Sequence, residues 1–112
     1  MKIVNASEAH LAQNPHGVEV RALHKTEHVT ISSVTLQPGE KLRRHITPVD
    51  AVFYVLEGQA TAEIGEERAT VAVHHLVDSP ARIPHRVLNE GESTVRFLVI
   101  KAPRQSEQTQ ML

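Results

Sequence analysis

Five turn signals, Pro38-Gly39, Glu57-Gly58, Gly65-Glu66, Ser79-Pro80 and Glu90-Gly91, divide the chain after Val18 into short segments rich in Val, Ile and Thr. Segments of this kind read as strands, and their regular spacing predicts an all-β sandwich or barrel. One helical signal precedes them. Ser7 can cap a short helix over Glu8 to Gln13, which Asn14-Pro15 would end, because a residue before proline is pushed out of helical geometry. The expected organisation is an N-terminal segment over 1–17, a barrel over 18–102 and a polar, aperiodic, flexible tail over 103–112.

Two segments carry apolar residues on both faces. In "AVFYVLE", Ala51, Phe53 and Val55 share one face and Val52, Tyr54 and Leu56 the other. In "VRFLVI", Val95, Phe97 and Val99 face one way, with Leu98 and Ile100 on the opposite side. A chain of 112 residues builds one core, so the second face is expected to pack on another copy, giving a homodimer. Val29 and Ile31 differ in parity from Val34 and Leu36, which predicts a bulge near Ser32-Ser33.

Composition removes several function classes. Twelve basic and 13 acidic residues are interspersed along the chain, so no basic stripe exists for nucleic acid or an anionic membrane. The absence of cysteine excludes disulfides, thiolate zinc sites and a cysteine nucleophile. The first twenty residues lack an apolar stretch, and a cytoplasmic location is expected. No G-x-S-x-G elbow or P-loop occurs, and Glu66-Glu67 belongs to a hairpin turn.

Of eight histidines, His10, His16, His24, His28, His74 and His75 lie in polar or turn surroundings, where solvated or local hydrogen-bonding roles are expected. His45 and His85 differ. Arg43, His45 and Thr47 share one parity, as do His85, Val87 and Asn89, so two imidazoles and a guanidinium meet if both faces line one barrel. Phe53 would supply an apolar wall to that site. Asn89, beside Glu90-Gly91, either offers the ligand a polar handle or fixes a turn through its amide.

The span from Leu36 to Asn89 resembles a cupin. Gly39, five intervening residues, His45 and a closing Gly58 follow the family's first motif, while Pro80, His85 and Asn89 follow its second. Thr47 stands where the first motif has its second histidine and Ala51 where it has glutamate, so two of the family's four usual metal ligands are missing. His74 and Arg82 replace the second motif's two glycines. The resemblance implies a double-stranded β-helix barrel, jelly-roll-like and often dimeric, but a fold that hosts dioxygenases, isomerases, epimerases, sugar-binding regulators and storage proteins selects no function.

Two readings of the site follow. In one, His45, His85 and Asp50 form a two-histidine, one-carboxylate set with open positions for Fe, Mn, Ni or Zn, and any reaction would be an oxidation or isomerisation there. Strand parity points Asp50 away from the face of Ala51, although Pro48 interrupts the count. In the other, the site is a metal-free binding or regulatory module whose histidines contact a small molecule directly. Arg43 would then orient an anion, while Arg82 and Arg86 are solvated edge charges. Ligand-binding candidates are thus Arg43, Thr47, Phe53 and Asn89.

Overall fold

A computed structural model describes all of residues 1–112. Eleven strands form two antiparallel sheets whose inner faces pack together. The larger sheet has the order β1 (His10–Leu11), β2 (Glu19–Lys25), β3 (Thr30–Leu36), β10 (Val95–Ala102), β5 (Asp50–Glu57) and β8 (Leu76–Ser79). The smaller has β11 (Gln110–Met111), β4 (His45–Ile46), β9 (His85–Leu88), β6 (Ala60–Ile64) and β7 (Glu67–Val71). No helix of the protein is long and apolar enough to cross a membrane.

The alternation of β5 and β10 explains the core. Their registers pair Val55 with Phe97 and Phe53 with Val99, so one parity of each strand turns inward together. On β3, Val34 lies opposite Phe97 and Leu36 opposite Val95, extending the same apolar layer. Leu36 and Phe97 are fully buried, and Phe53 meets Phe97 edge to face at 5.9 Å between centroids. Leu42, Ala60, Ala62 and Val87 close the layer from the smaller sheet and its approach. On the outer side, Val52, Tyr54, Leu56, Leu98 and Ile100 are half-buried.

Three local expectations are corrected. No helix forms over Glu8 to Gln13: Asn5 closes a single turn with Ser7 and Glu8, after which β1 pairs with β2. Six helical residues are too few to be stable alone, so strand pairing wins. The bulge lies not at Ser32-Ser33 but opposite, in β2, where the register skips between Ala22 and His24 while β3 pairs continuously with β10. The C-terminal stretch folds back, and Gln110 and Met111 pair with Ile46 and His45.

The two glycine positions of the second motif keep their backbone geometry without glycine. His74 has φ 70° and Arg82 has φ 66°, both left-handed. An L side chain in that region costs about 1–2 kcal/mol, partly offset by the looser unfolded chain that glycine brings. Arg82 is exposed and its guanidinium reaches only Glu107, at 3.5 Å. Such a surface pair contributes little. Arg82→Gly is therefore expected to raise stability by about 0.5–1 kcal/mol, seen as a higher urea midpoint with an unchanged slope.

Candidate functional site

His45 and His85 are forty positions apart in sequence but directly opposite one another in the β4–β9 pair. Cross-strand register thus brings the imidazoles together, with Nε2 to Nε2 at 2.9 Å. Both rings are buried, and Phe53 packs edge-on to His85 at 5.3 Å between centroids. They line a cavity of about 230 Å³ between the sheets. Val20, Val34, Leu42, Phe53 and Val99 form its apolar wall.

The hydrogen-bond partners fix the protons. His45 Nδ1 lies 2.6 Å from the Arg43 carbonyl oxygen, which can only accept, so Nδ1 carries hydrogen and Nε2 of the neutral ring has a lone pair. His85 Nε2–H can then donate to His45 Nε2, while the Ser79 hydroxyl donates to His85 Nδ1 at 2.5 Å. Thr47 Oγ1 lies 3.1 Å from His85 Nε2 and completes the group.

A third imidazole joins them. Asn14 accepts at Oδ1 from the His16 amide and donates through Nδ2 to the Val18 carbonyl, building the turn that carries His16 to the cavity. His16 Nδ1 accepts from the Arg43 amide at 2.8 Å, and its ring lies 4.9 Å from that of His45. Lys101, the last inward position of β10, also lines the cavity.

Burial holds these rings neutral. Desolvation, with repulsion from His45 and Lys101, pushes His85 down to about 3. The same cause, with His45 and Arg43 adding repulsion, lowers His16 to about 4. His45 is lowered by desolvation against the opposing effect of its bond to the Arg43 carbonyl. Lys101 is lowered by desolvation.

Other sequence candidates lie elsewhere. Asp50 is exposed, and its carboxylate accepts from the Ala81 amide at 2.8 Å, so it does not join the histidines. That agrees with the strand parity that turns Ala51 inward. The Arg43 side chain is exposed, and only its backbone serves the site. Asn89 takes the turn role: its amide donates to the Leu36 and Ser93 carbonyls and accepts from the Gly91 amide. Arg86 pairs with Glu63 at 2.7 Å.

The family model for the cupin domain matches residues 32–101. The protein belongs to the cupin family. This cupin is 33% identical to TT1209 from Thermus thermophilus, whose crystal structure superposes with a TM-score of 0.80 over 93% of this chain and 99% of that one. The fold is shared with the polyketide cyclase RemF from Streptomyces resistomycificus (18% identity, TM-score 0.85, 100% and 85% covered). It is shared also with a predicted oxalate decarboxylase from Thermotoga maritima (17% identity, TM-score 0.81, 92% and 100% covered). No curated protein sequence matches this chain.

The donor set of this cupin fits a resident divalent metal poorly. No group of three or more His, Cys, Asp or Glu side chains is arranged to hold one. The two facing nitrogens are backed by a carbonyl and a hydroxyl, as ligand histidines usually are, but the only adjoining oxygen is the neutral hydroxyl of Thr47. No carboxylate lines the cavity to offset a cation's charge, whereas Lys101 does line it.

Proposed function

We propose that this cupin binds a small organic molecule directly, inside the barrel, with His16 offering its unengaged Nε2 and with His45 and His85, bonded to each other, as the neutral polar wall beside it. The observation that carries this reading is a cavity lined by six hydrophobic residues, three neighbouring imidazoles and no carboxylate. Such a site combines apolar contact with a few convergent polar atoms, the general form of small-molecule pockets. At about 230 Å³ it suits a molecule smaller than a typical drug, whose pockets run to roughly 300–1,000 Å³.

A second reading, a divalent Fe, Mn, Ni or Zn ion on His45 and His85 with Thr47, is favoured only by the hydrogen-bonded Nδ1 atoms behind both rings. Thermal shift with a panel of small acids, amides, alcohols and sugars on chelator-treated protein separates the two. A ligand at a hundred times its Kd contributes about 2.7 kcal/mol, and in a domain of this size the melting point should rise by roughly 10 °C. His16→Leu, which removes the one unengaged ring nitrogen, is expected to remove most of that rise. Shifts that appear only after adding a divalent ion would replace the direct-binding reading with the metal one.

A further inference from the structure

The cavity wall has one formally cationic side chain and no acidic one. Lys101 is its only Lys or Arg, and neither Asp nor Glu lines it. The Lys101 amine donates to Gln105 Oε1 at 3.0 Å, a neutral acceptor, and forms no ion pair. Gln105 is fixed by its other end, where Nε2 donates to the Glu107 carbonyl and to Thr109 Oγ1, so its oxygen is held toward the lysine. A half-buried ammonium with three donors and one neutral partner lacks the counter-charge that buried cations normally have.

We propose that the cavity is built for a small monocarboxylate, its charged end held by Lys101 and its apolar body lying against Val34, Phe53 and Val99. This rests on the small-molecule reading of the site and assigns it a ligand class and an anchor. Register places the anchor: Lys101 follows Val95, Phe97 and Val99 on the inward face of β10, opposite Thr30 of β3, which also borders the cavity. Thr30, Ser32 and Thr109 line the same cavity, and a hydroxyl among them can donate to the second carboxylate oxygen. The desolvation that disfavours the lysine's charge is offset by the attraction of a carboxylate beside it. One cation selects one negative charge, and the apolar wall selects an organic acid over an inorganic anion.

The test is calorimetric titration of butyrate and benzoate against butyramide and benzamide, on the wild type and on Lys101→Met. The wild type should bind the acids at least tenfold more tightly than the amides of the same shape. Lys101→Met keeps the unbranched shape and most of the length of the side chain without its charge, and should bring acids and amides to the same affinity. The wild-type comparison stands without any variant. Amides that bind as tightly as acids, or an acid preference that survives Lys101→Met, would overturn the carboxylate assignment and leave direct small-molecule binding standing. Binding of neither set would also overturn the carboxylate assignment, and a thermal-shift panel without a single hit would overturn the small-molecule reading itself.

Discussion

Gly58→Ala should lower stability by about 3 kcal/mol or more, the largest loss expected from adding a single methyl group to this chain. Gly58 has φ 76°, and a Cβ there would lie 2.3 Å from the Thr94 carbonyl oxygen and 3.2 Å from Val95 Cα. Those are backbone atoms at the start of β10, the strand that carries Phe97 and Lys101, so they cannot swing aside as a flexible side chain would. Gly39→Ala is the matched control. Its φ is 86° but no atom lies within 4 Å of the added carbon, so only the conformational cost of about 1 kcal/mol remains. Urea unfolding of the two variants should show the difference, and equal losses would mean that the close approach to Thr94 has no energetic consequence.

Acidification from pH 7 to 5 should destabilise the protein by about 2–3 kcal/mol, before most ordinary carboxylates titrate. In the unfolded chain a histidine takes a proton below about 6.5, whereas folded His85 resists until about 3 and folded His16 until about 4. Between those values the unfolded state holds more protons than the folded one, so the stability present above pH 6.5 is lost progressively as pH falls. One such histidine contributes a slope of about 1.4 kcal/mol per pH unit at most, and half-buried His16 contributes less than buried His85. Urea midpoints at pH 7, 6, 5 and 4.5 measure the slope. His85→Asn, which cannot be protonated in this range, should flatten it, and a midpoint that stays level down to pH 5 would contradict the neutral-imidazole account.

Most of the barrel was legible in the sequence because inward parity and turn chemistry agree along β5, β6, β9 and β10. The convergence of His45 and His85 followed from the same parity, although their direct opposition depends on the β4–β9 register, which no local pattern specifies. Asp50 is the instructive failure as a candidate: a carboxylate close in sequence to His45 lies one strand position out of phase and bonds to Ala81 instead. Lys101 and Ser79 were overlooked although parity points to them. Extending Val95, Phe97 and Val99 by two residues reaches Lys101, and Ser79 lies two residues beyond Val77 on β8. His16 had no comparable signal. It reaches the cavity through the Asn14 turn, outside the span matched by the family model, and a turn residue's destination depends on tertiary packing.

The returning C-terminal chain has a kinetic consequence. Thr109 borders the hollow and Gln105 grips its lysine, yet the stretch pairs with the sheet through two residues, Gln110 with Ile46 and Met111 with His45, beside the backbone bonds Leu112 to Arg44 and Arg104 to Glu27 and the exposed Arg82–Glu107 pair. Short terminal pairings open far more often than a whole domain unfolds. Peeling back that flap would expose the lysine's rim without disturbing the Phe53–Phe97 layer, so access to Lys101 and the solidity of the barrel depend on separate parts of the chain.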